Sequence, residues 1–349
     1  MDTKSEAQKR KMKVAVVGAT GLVGQTMVKV LEERDFPLSE LIPVASENSV
    51  GKSILFKEKS YTTVSIETAI QLQPDLVLMS AGSSVSKKYA KSFTEKGSIV
   101  IDNSSAWRMD LNVPLVVPEV NGYTVVGNEL LIANPNCSTI ILVVALNEIR
   151  KKLGIRRMVV TTMQSVSGSG MKGISHWHQE MTTGVKGDFY PHHIDKNIIP
   201  PVDSFKEDGF TLEEAKLINE TRKIFQDHHI LIAPTCTRVP VAVGHSEAVL
   251  VETFRPFEMH EIHAMFRRTP GVVLMDQPES STYPTPLAIE GRDEIFVGRI
   301  RRDVTQAHGF HCWIVGDNIR KGAATNAVQI AELFIRKGRL KPASDALKA

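Results

Sequence analysis

The feature that most constrains the fold lies near the N-terminus. Lys13-Val14-Ala15-Val16-Val17 is a short β-rich run that ends directly in Gly18-Ala19-Thr20-Gly21-Leu22-Val23-Gly24, and a helical pattern continues through Leu31. A strand, a glycine turn and a helix in immediate succession form the opening unit of a doubly wound parallel sheet. In such a unit the first glycine permits the tight turn, the second lets the backbone approach a pyrophosphate, and the third permits close packing of helix on strand. The helix N-terminus then holds negative charge. Residues 41–45, 75–79 and 98–102 read as the next three strands, separated by helical stretches. Ligands of such sheets bind beyond the carboxyl ends of the strands. Ser80-Ala81-Gly82 and Asn103-Ser104-Ser105 stand at those ends.

A second constraint is Asn134-Pro135-Asn136-Cys137-Ser138-Thr139, followed by seven apolar residues from Ile140 to Leu146. Pro135 and Asn136 mark a turn, Ser138 and Thr139 suit a helix start, and the apolar run reads as a buried helix. Cys137 therefore sits at a helix N-terminus, where unpaired N–H groups and the positive dipole end favour a thiolate and lower the thiol pKa. A thiolate attacks carbonyl carbon. Beside a dinucleotide-type loop, such a cysteine points to redox chemistry through a thioester.

A chain of 349 residues holds two domains. Beyond Cys137 the texture changes: residues 158–165, 230–243, 248–253 and 310–315 read as longer strands, with Gly-, Pro-, Ser- and His-rich loops around 167–200 and 276–292. The fold class is α/β, an N-terminal Rossmann-type parallel sheet joined to a second, α+β domain on a mixed sheet. We expect a disordered tail over 1–11, a dinucleotide domain over 12–136 plus 323–349 (the latter led by an amphipathic helix over 322–337), and a catalytic domain over 137–322. A net charge of +3 and the lack of a dense basic stripe argue against nucleic acid. No apolar run reaches the ~18 residues of a membrane span, and the charged N-terminus has no apolar signal core. Cys137, Cys236 and Cys312 are widely spaced, which fits a reducing cytoplasm.

Other residues have the chemistry to join Cys137. Gln164 ends a strand at the Gly168-Ser169-Gly170 loop, placed to hydrogen-bond a reacting carbonyl. Arg238 and His245 lie seven residues apart. On a straight strand they face opposite ways, so Gly244 must turn the chain for both to reach one pocket. Arginine suits bidentate capture of a carboxylate and histidine suits proton transfer. Arg108 and Lys216 are candidates to hold phosphate. At the end of the second strand, Ser46-Glu47-Asn48-Ser49 argues both ways: a carboxylate favours NAD, whereas serine with Lys52 accommodates a 2′-phosphate. The histidine pairs at 176/178, 192/193 and 228/229 form no closed ligand set, so no metal is expected.

Nine segments carry a resemblance that runs over nearly the whole chain: GATGLVG (18–24), SAGSSVSKKYA (80–90), DNSSAWRM (102–109), VPLVVPEVN (113–121), NPNCSTI (134–140), QSVSGSG (164–170), EAKLINETRKI (214–224), TRVPVAVGHS (237–246) and GAATNAVQIAE (322–332). On these the chain resembles the aspartate-semialdehyde dehydrogenases. The resemblance implies Cys137 as nucleophile, His245 as general acid/base and Gln164 orienting the acyl carbonyl. It implies Arg238 on the substrate carboxylate, Glu214 on its amino group, and Asn103, Arg108 and Lys216 on phosphate. It implies NADP as cofactor, held by Gly18, Thr20, Gly21, Leu22, Val23, Gly24, Ser46, Asn48, Ser49, Ser80, Ala81, Gly82, Gln164, Ser167, Gly168 and Asn326. Many members carry Arg where this chain has Asn48. Aspartyl phosphate and aspartate semialdehyde would be the small-molecule partners, in a homodimer or homotetramer joined through the second domain. The alternatives are reduction of a related acyl phosphate or acyl-CoA (N-acetyl-glutamyl phosphate, malonyl-CoA), or a non-catalytic NADP-binding regulator.

Overall fold

The computed structural model describes residues 12–340. The expected tail over 1–11, and residues 341–349 of the C-terminal segment, lie outside it. The first seven strands are β1 (Lys13–Val17), β2 (Glu40–Val44), β3 (Ser53–Phe56), β4 (Lys59–Thr62), β5 (Leu76–Met79), β6 (Ile99–Asp102) and β7 (Leu131–Ala133). Five of them form a parallel sheet in the order β2-β1-β5-β6-β7, while β3 and β4 make a separate hairpin. Chain order reverses between β1 and β5, so the crevice at their carboxyl ends is the switch point where a ligand binds. Gly18 and Ser80 border it.

The remaining strands are β8 (Ile155–Gln164), β9 (Leu231–Arg238), β10 (His245–Thr253), β11 (Val272–Leu274), β12 (Ile295–Arg302) and β13 (Gly309–Gly316). They form a mixed sheet in the order β11-β12-β13-β10-β8-β9, with β8–β9 and β11–β12 parallel and the other pairs antiparallel. The helices are α1 (Leu22–Glu33), α2 (Ile66–Gln71), α3 (Ser83–Thr94), α4 (Pro118–Asn121), α5 (Cys137–Leu153), α6 (Gly170–Thr183), α7 (Leu212–Phe225), α8 (Met259–Arg268), α9 (Pro286–Ile289) and α10 (Thr325–Arg336).

Helix α5 is the centre of the larger core. Ile140 to Leu146 are all buried there, packed with Met158, Val160, Val249, Val251 and Ile314 of the mixed sheet. A helix that is apolar on every side is stable only when covered all round. Its N-terminus is consequently held where the two sheets meet. Helix α10 returns to the first sheet and packs beside α1.

Several local expectations differ from the structure. The strand read over 230–243 stops at Arg238, and His245 opens the next strand. Between them Gly244 takes φ +94°, the turn that lets both side chains serve one pocket. Part of the loop read over 167–200 is α6, closed by Gly184 in the left-handed region. The helix beginning at Cys137 is capped by Asn136, whose Oδ1 accepts from the Ser138 and Thr139 amides, rather than by Ser138 or Thr139. A π-helical turn (Arg320–Ala324) precedes α10.

Candidate active site

Two concavities meet at Ser80, which lines both. One, of about 440 Å³, runs over the glycine turn and is lined by Gly18, Thr20, Gly21, Ser46, Glu47, Ser80 and Ala81, among others. Gly18 takes φ +85°, and a Cβ there would stand 2.4 Å from the Ser80 carbonyl oxygen. A Cβ on Gly24 would stand 2.1 Å from the Gly18 oxygen, so α1 packs directly on the turn. The first turn of α1 carries no acidic residue and Gly21 gives it no side-chain cap. Its amide groups are left to an anion, and this cradle fits a dinucleotide. Leu22 and Gly24 serve the start and packing of α1, and Gly82 caps α3 with φ +82°. Asn48 and Ser49 do not line the groove; they belong to a short turn (Glu47–Ser49) whose Ser49 carbonyl accepts from Thr63 Oγ1. Asn326, expected at the cofactor, does not line the groove. It is fully buried and spends its amide on Val116 O, Asn134 Oδ1 and Lys321 Nζ, away from the groove.

The second cavity, of about 450 Å³, holds the half-buried Cys137. Asn103, Arg108, Gln164, Lys216 and Arg238, expected at the catalytic and substrate positions, line it, together with Val23, Ser167 and Gly168, which were expected at the cofactor. His245 lies behind the sulfur, fully buried, with Nε2 3.3 Å from Sγ. The Ser165 amide donates to His245 Nδ1 at 3.1 Å. A ring nitrogen that accepts carries no proton, so the neutral imidazole holds its hydrogen on Nε2, facing sulfur. Burial, reinforced by the Arg238 guanidinium, keeps this ring well below the ordinary imidazole range and therefore neutral.

The thiol departs from the reading at Cys137. Burial pushes it up to about 12, and the Glu213 carboxylate adds to the rise. Arg108, Arg238 and the Ser138 amide pull the other way without prevailing. The helix N-terminus is there, as the sequence implies, but desolvation outweighs it. The resting pair is a neutral thiol beside a neutral imidazole.

The charged groups form three sets. Arg238 Nη1 donates to the Ser165 carbonyl at 2.7 Å, and among the described residues no carboxylate pairs with its guanidinium. Gly168 crowds it: a Cβ there would stand 2.7 Å from Arg238 Nη1 and 3.2 Å from His245 Cε1. Arg108 bonds Glu220 at 3.1 Å and the Asn103 carbonyl at 2.7 Å, leaving its Nε and Asn103 Oδ1 buried without partners. Lys216 is shared by Asp203 at 2.8 Å and Glu213 at 3.1 Å.

The pocket carboxylate is Glu213, not Glu214. Glu213 Oε1 accepts from Asn136 Nδ2 at 2.8 Å and Gln164 Nε2 at 3.2 Å. The carboxylate of Glu214 is consumed in the capping box of α7, accepting from the Thr211 amide, and in a bond from the Cys236 amide. Thr-x-x-Glu ahead of a helix is the signal that would have separated the two. Gln164 spends its amide on Glu213 and Thr162, so it holds the carboxylate in place. Sequence reading also missed Asn318. Its Oδ1 accepts from Ser165 Oγ at 3.0 Å and the Gly244 amide at 2.9 Å, tying the loop under His245 to the turn before it. Glu213, Asp203 and Asn318 all line the cavity. Among the described residues no cluster of three metal-ligating side chains occurs, and no helix is long and apolar enough to cross a membrane.

Comparison with known proteins agrees with this architecture. Residues 13–127 match the family model of the semialdehyde dehydrogenase NAD binding domain, and residues 146–321 match that of the semialdehyde dehydrogenase dimerisation domain. The aspartate-semialdehyde dehydrogenase of Aquifex aeolicus is 50% identical over 335 residues, covering 93% of this chain and 98% of that protein. The crystal structure of aspartate semialdehyde dehydrogenase II complexed with ASA from Vibrio cholerae superposes with a TM-score of 0.90 at 44% identity, covering 94% of this chain and 99% of that one. A Candida albicans aspartate semialdehyde dehydrogenase solved with NADP gives a TM-score of 0.75 at 25% identity, covering 95% and 100%.

Proposed function

The chain belongs to the aspartate-semialdehyde dehydrogenase family, and from that premise we propose that it reduces L-4-aspartyl phosphate to L-aspartate 4-semialdehyde with NADPH, through a thioacyl intermediate on Cys137. The observation that carries this reading is the approach of Cys137 Sγ and His245 Nε2 in a cavity that adjoins the glycine-turn groove and presents the Arg238 guanidinium, which no carboxylate pairs among the described residues. Arg238 takes the substrate α-carboxylate. Glu213 takes the amino group, held by Gln164 and Asn136. Arg108, Asn103 and Lys216 take the phosphate, with Lys216 exchanging its bond to Asp203 for one to the substrate.

Cys137 sulfur attacks the acyl carbon, the carbon–oxygen bond to phosphate breaks, and the thiol proton leaves on phosphate as HPO4²⁻. The neutral His245 donates its Nε2–H hydrogen bond to the sulfur as negative charge develops there. Gly18, Thr20, Gly21 and Ser80 would hold the dinucleotide, which would supply the hydride equivalent needed to bring the thioester to the aldehyde level. Release of the aldehyde breaks the carbon–sulfur bond and returns a thiolate, which accepts from His245 Nε2 until it takes up one proton. Splitting the reaction at the thioester replaces one hard step with two easier ones.

The dimerisation-domain match and the partly exposed sheet face bearing Ala248, Leu250 and Trp313 support a homodimer joined through the second sheet. Three free cysteines support a reducing cytoplasm. Incubation with aspartate semialdehyde, phosphate and NADP⁺ tests the reading. It requires NADPH formation that depends on phosphate and disappears in Cys137→Ala. Activity without phosphate, or full activity in the variant, would refute it. Glu213→Ala separates the substrates: it should cripple turnover of aspartate semialdehyde but cost little if the true substrate has an acylated or absent amino group.

A further inference from the structure

We propose that the glycine-turn groove accepts NAD as well as NADP, with Glu47 and Glu67 engaging the ribose hydroxyls at its far end. The inference rests on the reading above only in taking the groove as the dinucleotide site. A pyrophosphate over the Gly18–Gly21 turn directs the adenosine toward the end of the neighbouring strand. That strand is β2, and the groove wall there consists of Val44, Ala45, Ser46 and Glu47. Ser65, Ile66 and Glu67 at the start of α2, and Val85 and Tyr89 on α3, complete it. Two carboxylates thus face the ribose end, and among the described lining residues no lysine or arginine does.

Glu67 is fixed: its Oε1 accepts from Tyr89 Oη at 2.7 Å, and that bond keeps its carboxyl below the usual range and ionised. The cation at hand is Lys88, with Nζ 4.6 Å from the Tyr89 ring centroid and under the influence of both Glu67 and Glu47. Among the described lining residues two glutamates stand against no cation, Lys52 and Lys88 both lying outside the lining, so the groove edge is net negative. A 2′-phosphate would add about two more negative charges, whereas ribose hydroxyls are donors that carboxylates accept from directly. Ser46 and Ser65 still offer hydroxyl donors to a phosphate, so NADP is admitted without the cationic clamp that would enforce it. Asn48 stands outside the lining and adds no charge.

Calorimetric titration of the full chain with NAD⁺ and NADP⁺, without substrate, tests this. A parallel pair, 5′-AMP against 2′,5′-ADP, isolates the ribose end. NAD⁺ should bind within about tenfold of NADP⁺. In the Glu47→Gln, Glu67→Gln double variant, NAD⁺ and 5′-AMP should weaken by about tenfold while NADP⁺ and 2′,5′-ADP tighten. Both side chains are exposed, and an unchanged melting temperature confirms an intact fold. NADP⁺ bound more than about a hundredfold tighter than NAD⁺, or a double variant with unaltered preference, would overturn this inference and leave the proposed reaction standing. Failure of both dinucleotides to bind would overturn the groove assignment and with it the reaction.

Discussion

Replacing Glu213 by glutamine probes why the nucleophile rests as a thiol. The thiol is pushed up to about 12, first by burial and then by the Glu213 carboxylate. An unperturbed thiol of pKa ~9 would be ~3% ionised at pH 7.5, whereas one near 12 is ~0.003% ionised, a difference of about a thousandfold. Only the thiolate reacts with iodoacetamide. Alkylation of Cys137 in the free enzyme should therefore run about a thousandfold below an ordinary accessible thiol at this pH. It should also climb about tenfold per pH unit, without levelling, to at least pH 10. The amide of the Glu213→Gln variant keeps a carbonyl for Asn136 and Gln164 but removes the charge. With Arg108 and Arg238 unopposed at that position, the pKa falls and labelling at fixed pH accelerates. Peptide mapping must place the label on Cys137, since Cys236 and Cys312 are buried. A wild-type rate that plateaus below pH 8, or a Glu213→Gln variant that labels more slowly, would refute the reasoning.

Three more outcomes follow from named contacts. Gly168→Ala inserts a methyl 2.7 Å from Arg238 Nη1 and 3.2 Å from His245 Cε1; displacement of the clamp by a few tenths of an ångström should lower kcat/KM by about a hundredfold with little loss of melting temperature. Because burial and Arg238 hold His245 neutral, kcat/KM should show no inflection near pH 6.5, and a clear one there would contradict the neutral state assigned to this ring. Glu247 is fully buried with both carboxyl oxygens unpartnered, and burial holds it protonated well above the usual carboxylate range. The folded state keeps a proton that the unfolded state releases near its ordinary pKa, so this group's contribution to stability declines as pH rises between the two values. Glu247→Met should therefore raise stability at pH 8 by about 1–3 kcal/mol and flatten that slope, as denaturant unfolding at pH 5 and 8 would read out.

The glycine turn, the parallel sheet and the Cys137 helix were legible because each is encoded in a few adjacent residues. Arg238 and His245 were legible as a pair only with a turn at Gly244, and the backbone supplies it at φ +94°. Glu213 and Glu214 are neighbours on one helix, about 100° apart round its axis. Which one faces the cavity is decided by the Thr211 capping box, a local signal that the resemblance naming Glu214 does not contain. Asn318 acts on Ser165 from 153 residues away, and no periodicity or motif announces such a contact. The thiol's ionisation depends on the balance between a helix end, visible in sequence, and burial against Glu213, which exists only after folding. The glycines and histidines of α6 mask its helical pattern, and its partners, such as the Ile194 amide that donates to Glu180, lie in the following segment.

The most direct test of the thioacyl account omits the dinucleotide. Enzyme mixed rapidly with L-4-aspartyl phosphate and quenched in acid should release one phosphate per active chain in a burst. The peptide containing Cys137 should carry the aspartyl group as a hydroxylamine-labile thioester. Absence of the burst, or its persistence in Cys137→Ala, would contradict the account.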